Sequence, residues 1–340
     1  MTLLILLACT GKPTDDTAET GLDDSDTDTD TDSDTDTDSD TDTDTDTDTD
    51  TDPPEPVLVS VGLIYDKADL VLTTRDTCVF RIECVYDDGS TVDLTADGLY
   101  VSLDATVVRF YAAGVAQPID GGTAAVSIHT DALGGMDWGP IDLTVSVAAV
   151  EPGDLVFNEI LADPGTKDDP NGDGSLDPVE DEFVEIAVAS DVTVDISGVT
   201  LWDGDNDTPR HTFAKGTKLR AGEAIVVFGG GDVSTLVADN VQFQVATADD
   251  GSLDYGIALN NDGDTARLVA SDGTTELVSA PYGEDGGPAA IEDASLVLSP
   301  EVYGTSYTHH AYATGSTGDW SPGTYVDGSA FPGPDGVYGR

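Results

Sequence analysis

Oxygen-bearing side chains recur at fixed intervals in the segment DPNGDGSLDPVE, residues 169–180. In chain order, the candidate metal ligands are Asp169, Asn171, Asp173, Ser175 through its backbone carbonyl, Asp177 and Glu180. Calcium takes about six to eight hard oxygen ligands, and calcium loops use this order of residues. Gly174 stands where such a loop turns sharply, and we expect Leu176 to pin the loop to a core. The sequence therefore predicts a calcium site in this segment.

The chain around this segment does not supply the two helices of an EF-hand, which usually flank a calcium loop. Pro170 and Pro178 oppose helices that run into or through the segment. The apolar residues that follow, Val184, Ile186 and Val188, alternate as in a strand. We therefore expect a structural site that braces a loop between strands, since a calcium sensor needs the missing helix pair. The alternative is a solvated acidic turn without metal, which a chain with 68 acidic residues and 37 glycines also favours.

A second acidic segment, WDGDNDTPRH, also carries carboxylates at alternate positions. Asp203, Asp205 and Asp207 make it a second candidate metal site. The segment lacks the closing glutamate of the first one, so a polar hairpin tip is the alternative interpretation.

Catalytic arrangements are scarce in this sequence. His309 and His310 are adjacent and point apart on a strand, so they cannot share one metal ion there. His129 and His211 are isolated, and neither a nucleophile elbow nor a zinc-protease motif is present. Acidic residues are so abundant that no single pair of carboxylates indicates a glycoside hydrolase. We predict no catalytic residues and no enzyme, with a hydrolase that uses an unrecognised acidic site as the remoter alternative.

The net charge of the 340-residue chain is −56, from 68 acidic and 12 basic residues. Phosphate binding needs a basic surface, so this balance argues against nucleic acid as a partner. An anionic membrane surface would repel the chain as well. Divalent cations and basic surfaces are the partners that this charge attracts.

The chain starts with MTLLILLACTGK, in which an apolar run ends at Cys9. The tetrapeptide LLAC resembles the lipobox of bacterial lipoproteins. The resemblance implies that the chain is cleaved before Cys9 and that the Cys9 thiol is lipidated. It also implies sorting to the outer membrane, because the residue after the cysteine, Thr10, is not an aspartate. The alternative is a short N-terminal segment that contains a cysteine by chance, because the apolar run is short and no Lys or Arg precedes it. We expect residues 1–9 to be a signal-like segment of an exported outer-membrane lipoprotein, facing the cell surface or the periplasm. The lipid anchor would be its one contact with the membrane.

Residues 10–55 form an acidic tail in which Asp alternates with Thr or Ser from Asp23 to Asp52. That stretch lacks apolar residues and cannot collapse, while repulsion between its carboxylates extends it. We predict a disordered linker that holds the folded part away from the membrane. A low-affinity calcium store is the alternative, although DT repeats lack the turn glycine that builds a calcium cage.

From residue 56 the pattern changes to short β-branched runs with period-two alternation, separated by Gly, Asp and Pro. Turns about ten residues apart predict an all-β fold with the spacing of a sandwich. The DGS turn in VYDDGSTVDLT, residues 85–95, and the later GGTAAVSIHT resemble bacterial Ig-like domains of the second group. The resemblance implies an Ig-like β-sandwich over residues 56–150, as a stalk or adhesin-type module without catalysis.

Cys78 and Cys84 lie in the run CVFRIEC, and export would favour a disulfide between them. The run alternates as one strand, with both cysteines on the same face. Six residues of strand span about 20 Å, whereas a disulfide requires Cα atoms within about 7 Å. We therefore predict two core thiols, unless a bulge or bend brings the cysteines together.

Residues 151–326 carry an ordered series of motifs. They are LVFNEILADP, DEFVEI, VTVDISGVTLWDGD, AGEAIVVFGGG, the turns NNDGD and SDG, and WSPG. This series resembles the lamin tail domain family of bacterial secreted proteins. The resemblance implies a second Ig-like β-sandwich with a binding or structural role, followed by a C-terminal extension over residues 327–340.

Together these features predict an all-β protein with two Ig-like β-sandwich domains after a disordered tail rich in Asp and Thr. We expect a non-catalytic surface lipoprotein whose second sandwich serves extracellular binding or adhesion and contains calcium as a structural cofactor. The expected partner is an extracellular protein or polysaccharide. The alternative is an accessory protein that docks a secreted hydrolase or a polysaccharide.

Overall fold

The computed structural model describes residues 5–7, 54–205, 207–247 and 256–338. Cys9 and residues 10–53 of the acidic tail lie outside the described residues, so lipidation of Cys9 and the disordered linker stay predictions. Within the described residues, no helix is long and apolar enough to cross a membrane.

Strands dominate the described chain, as the period-two alternation predicts. The strands of the first half are β1 (Ile5–Leu7), β2 (Leu58–Tyr65), β3 (Val71–Thr73), β4 (Cys78–Tyr86), β5 (Thr91–Asp93), β6 (Gly98–Ser102), β7 (Val108–Ala112), β8 (Val115–Pro118), β9 (Gly122–Thr130), β10 (Met136–Ser146) and β11 (Ala148–Ala149). Those of the second half are β12 (Leu155–Leu161), β13 (Phe183–Val188), β14 (Val194–Asp195), β15 (Thr200–Trp202), β16 (His211–Thr212), β17 (Lys218–Leu219), β18 (Ala224–Phe228), β19 (Val241–Val245), β20 (Gly263–Val269), β21 (Glu276–Gly283), β22 (Leu296–Ser299) and β23 (Ser306–His309). The helical elements are 3-10 turns at Thr95–Asp97, Ala132–Gly134 and His310–Tyr312, and a short helix α1 (Gly333–Tyr338). The predicted all-β fold class is confirmed.

Two sheets form the first sandwich. One has the strand order β1-β2-β4-β8-β7, with β5 also paired to β4, and the other has the order β3-β10-β9-β6. Alternate residues of β4 are buried, because one face of the strand packs into the core between the sheets. Cys78 and Cys84 lie on that face as free, buried thiols of one continuous strand, so the prediction of two core thiols is confirmed. Burial raises the pKa of the Cys78 thiol to about 12.

The second sandwich packs a six-stranded sheet against a four-stranded one. Their strand orders are β19-β18-β13-β12-β22-β23 and β16-β15-β20-β21. Every side chain of β13 and β18 is buried, because one face joins the main core while Phe331 covers Ala187 and Ala224 on the other. This double burial explains the wholly apolar run at residues 225–228, which predicts a central strand. The hairpin between β20 and β21 turns at the predicted SDG sequence, where Gly273 has a φ of 72°.

Residues far apart in the sequence join the two sandwiches at a contact that we call the junction, formed around Thr74, Ile119 and Thr193. The Thr193 hydroxyl donates to the carbonyl of Ile119 at 2.5 Å, and the Thr74 hydroxyl donates to the carbonyl of Thr193 at 2.6 Å, both in buried surroundings. Beside them, an Nη of Arg75 contacts a carboxylate oxygen of Asp154 at 2.5 Å. The connecting strand β11 pairs with β14 of the second sandwich. The two sandwiches therefore pack against each other through buried polar contacts.

Candidate functional site: the acidic loop and the buried carboxylates

The candidate calcium segment lies in the connection between the antiparallel neighbours β12 and β13, and we call residues 169–181 the acidic loop. Gly172 and Gly174 have φ values of 71° and 87°, which residues with a side chain rarely adopt. Asp169 accepts hydrogen bonds from the N–H groups of both glycines, at 2.8 and 2.7 Å. The segment therefore folds around its first aspartate between two strands, and the expectation that it is not a helix-flanked EF-hand is confirmed.

The other predicted ligands have different surroundings. Asn171 Oδ1 accepts the N–H of Asp173 at 3.0 Å, and Asp173 Oδ1 accepts the N–H of Ser175 at 2.7 Å. Asp177 Oδ1 accepts an N–H two residues ahead at 2.9 Å. Ser175 is exposed and Glu180 partly exposed. Over the described residues, no three Asp, Glu, His or Cys side chains are grouped as a metal ion requires, so calcium stays a prediction at this point.

A run of glycines after β18, residues 229–231, holds the acidic loop. A Cβ atom on Gly231 would lie 2.4 Å from Asn171 Nδ2 and 2.6 Å from Asp173 Oδ2, so this close approach requires glycine. The N–H of Asp232 donates to Asp173 Oδ2 at 3.2 Å. Leu176 is 48% exposed, so the expectation that it pins the loop to a core is wrong. The acidic loop contacts the backbone of the glycine run instead of burying Leu176 in a core.

Asp181 directly follows the predicted ligands and is fully buried. Its Oδ2 accepts the N–H of Asp177 at 3.0 Å, whereas its Oδ1 has no hydrogen-bond partner among the residues that the structure describes. Burial raises the pKa of Asp181 to about 6, and the charges of Asp169 and Asp173 add to this shift. The backbone amides of Asp177 and Asn171 oppose it. A buried carboxylate oxygen without a partner therefore lies among the candidate ligands.

The second candidate segment is held by an ion pair. Asp203 is fully buried, and its Oδ2 lies 2.7 Å from Nε of Arg210. Asp205 and Asp207 are exposed, and Asp205 accepts a hydrogen bond from the Asn260 side chain at 2.7 Å. The pairing with Arg210 gives Asp203 a structural role, and a metal at this segment stays a prediction.

Three further carboxylates lie at the face of the six-stranded sheet that points away from the main core, and we call Glu159, Glu185 and Glu301 the carboxylate cluster. Glu159 on β12 is paired in register with Glu185 on β13, and both are fully buried. Asn158 Nδ2 donates to Glu185 at 2.8 Å and lies 3.4 Å from Glu301. Burial raises the pKa of Glu159 to about 7. Burial, followed by the charge of Glu159, raises the pKa of Glu185 well above its usual value.

The C-terminal WSPG motif supplies donors to this cluster. Ser321 donates its N–H and its hydroxyl to the two oxygens of Glu159, each at 2.8 Å. The N–H of Gly323 donates to Glu185 at 2.7 Å. The positions of these glutamates in the sequence do not show that they form a cluster. The sequence feature that points to them is a glutamate within an otherwise apolar strand, as in the NEI and DEFVE motifs.

The three carboxylates of the DEFVE motif contact three different parts of the protein. Asp181 lies in the acidic loop, and Glu185 belongs to the carboxylate cluster. Glu182 accepts the N–H groups of Ala258 and Leu259 at 2.9 and 3.4 Å. Burial raises the pKa of Glu182 to about 8. The motif therefore fixes three separate segments to the start of one strand.

A polar cavity of about 580 Å³ opens beside the junction. Asp120 of the first sandwich lines it together with Lys218, Arg220, Glu223 and Gln242 of the second. Lys218 pairs with Asp120 at 2.6 Å, and Arg220 pairs with Glu223 at 2.6 Å. The charges that line this cavity are therefore balanced within the protein.

Residues 148–283 match the family model described as Lamin Tail Domain. The match begins at β11 and ends with β21, so it includes the acidic loop, Glu159 and Glu185. The donors of the WSPG motif lie beyond it. The match agrees with the sequence resemblance for the second sandwich. No curated protein matches the chain.

Three solved structures show weak similarity to the chain. A DUF4876 family protein from Bacteroides thetaiotaomicron is 10% identical, with 67% of this chain and 85% of that chain covered and a TM-score of 0.31. Domains 4–9 of the surface layer protein SbsC are 14% identical, with coverages of 66% and 31% and a TM-score of 0.20. The adhesin InvE of Yersinia pseudotuberculosis is 12% identical, with coverages of 68% and 65% and a TM-score of 0.21. Similarity at these TM-scores supports no conclusion about fold or function.

Proposed function

We propose that this chain is an exported, non-catalytic protein of the cell surface whose lamin-tail-like sandwich binds an extracellular protein or polysaccharide. The observation that carries the proposal is the junction, where Thr193 is hydrogen-bonded to Ile119 and Thr74 in buried surroundings. A sandwich fixed to its neighbour in this way presents its loops in a constant direction, which suits a binding domain on a stalk. Lipidation of Cys9 would anchor the chain in the outer membrane, and the acidic tail would hold this pair of domains away from the membrane surface.

The placement of the buried acids supports a structural role for them. Glu159 and Glu185 are fully buried and take hydrogen bonds from Ser321 and Gly323. A general acid or base must come within hydrogen-bond reach of the substrate atom that it protonates or deprotonates. Carboxylates enclosed by the chain's own C-terminal segment do not meet this condition.

Binding should depend on salt, because the net charge of −56 attracts basic partner surfaces. Immobilised basic proteins and positively charged glycans should retain the chain in low salt and lose it progressively as salt shortens the range of the attraction. Surface plasmon resonance over a salt series measures this, and a chain without residues 23–52 separates the contribution of the tail. Binding that high salt leaves unchanged would contradict an electrostatic partner.

Calcium as a structural cofactor in the acidic loop is part of this proposal. Calcium should raise the melting temperature of the full chain. At a calcium concentration a hundred times the Kd, binding adds about 2.7 kcal/mol to the free energy of unfolding. Asp173→Ala should abolish the rise, because Asp173 lies at the centre of the loop and of its contact with Gly231. Calorimetric melting with calcium and with chelator measures the effect, and Asp207→Ala tests the second acidic segment in parallel. A melting temperature indifferent to calcium and chelator would remove the metal from the proposal.

A further inference from the structure

Two adjacent carboxylates compete for the position that closes the calcium site. Residue spacing favours Glu180, the last residue of the calcium-loop pattern. The side chains of Glu180 and Asp181 have different surroundings in the structure. The structure shows which of the two faces inward.

Glu180 is directed along the glycine run. A Cβ atom on Gly230 would lie 2.7 Å from Cγ of Glu180 and 3.2 Å from its Cβ, so the side chain lies over that glycine. The carbonyl of Glu180 accepts the N–H of Gly230 at 3.0 Å and lies 3.4 Å from Asn171 Nδ2. The backbone of Glu180 is therefore fixed on both sides, with its side chain over Gly230.

Asp181 has the opposite placement. It is fully buried, its Oδ2 is held by the N–H of Asp177, and its Oδ1 lacks a hydrogen-bond partner in the described part of the chain. A buried carboxylate oxygen without a partner costs free energy. A cation bound between this oxygen and the loop carboxylates would offset that cost, since calcium prefers such oxygens as ligands.

We propose that Asp181, and not Glu180, is the ligand that closes the calcium site of the acidic loop. This inference rests on the proposed calcium function. An ion held by Asp181 connects the loop to the start of β13, because Glu182 follows Asp181 directly and Glu185 lies on the strand. Calcium would thereby fix the loop to the strand that also holds the 258–259 segment and the C-terminal WSPG motif.

Two isosteric variants of the full chain distinguish the alternatives. Asp181→Asn should weaken calcium binding by about tenfold or more, since even mutations of residues that only support metal ligands cost about 10–100-fold in affinity. Glu180→Gln should change the affinity by much less. Calorimetric titration with calcium chloride measures both affinities, and melting in chelator verifies that each variant folds. Asp181→Ser replaces Asp181→Asn if the latter fails that check.

The outcomes separate this inference from the proposed function. If the unchanged chain neither binds calcium nor melts at a higher temperature with it, the calcium function and this inference both fail. If the unchanged chain binds calcium, and Glu180→Gln loses binding while Asp181→Asn keeps it, the inference alone is overturned. Loss of affinity confined to the Asp181 variants supports it.

Discussion

A chain that ends at Gly315 is expected to lose the fold of its second sandwich, although it contains the whole region that matches the family model. The truncation removes Ser321 and Gly323, which donate hydrogen bonds to the fully buried Glu159 and Glu185. Leaving a buried polar group without its hydrogen-bond partner costs about 1–3 kcal/mol, and whole domains are stable by only about 5–15 kcal/mol. Thermal melting followed by circular dichroism, together with hydrogen exchange of β12 and β13, measures the loss.

Two further chains test the cause of this loss. A chain ending at Tyr338 keeps every donor of the carboxylate cluster and should melt as the full chain does. Glu159→Gln combined with Glu185→Gln in the chain ending at Gly315 should restore part of the stability at high pH, because a buried amide does not ionise whereas a buried carboxyl group that ionises carries a large desolvation cost. A chain ending at Gly315 that melts with the full chain would show that the WSPG motif does not hold the sandwich together.

The stability of the protein in chelator should fall as the pH rises from 5 to 8, the opposite of ordinary acid denaturation. Burial raises the pKa of Glu159 to about 7 and that of Glu182 to about 8, while a glutamate in the unfolded chain titrates near 4.3. Between these values the folded state holds protons that the unfolded state has released, so the free energy of unfolding decreases with pH. One unit of pKa corresponds to about 1.4 kcal/mol, so the decrease should amount to a few kcal/mol.

The charged groups around these glutamates support this direction. Glu182 faces Arg210, which lowers its pKa, and Asp264, which raises it, but burial is the largest effect. Groups with a lowered pKa, such as Asp76 at about 2, lose their stabilising charge only at much lower pH. Melting temperatures measured from pH 5 to 8 check the trend, and Glu159→Gln should flatten it. A melting temperature that rises steadily over this range would contradict it.

Period-two alternation predicted the strands that carry the core, because a strand with one buried face must place apolar side chains at every second position. Cys78 and Cys84 illustrate this, since their spacing on one strand was enough to predict two free core thiols. The apolar run at residues 225–228 predicted a central strand for a different reason, because a strand that is buried on both faces carries apolar side chains at every position. Residue types and spacing also predicted the acidic loop between strands, because its glycines permit sharp turns and its prolines oppose helices.

Tertiary structure decided the features that depend on segments far apart in the chain. The spacing of ligands favoured Glu180, whereas in the structure the Glu180 side chain lies over Gly230 and Asp181 is the buried carboxylate of the loop. NEI and DEFVE showed charges in apolar strands, but only the packed sheet pairs Glu159 with Glu185 and brings the WSPG motif to them.

The sequence by itself thus determined an all-β chain and the position of its acidic loop, since alternation and turn residues act over a few neighbouring positions. Which carboxylates become buried, and which segments satisfy them, was decided by the tertiary structure, because hydrogen-bond partners of a buried charge come from any part of the chain that packing brings near.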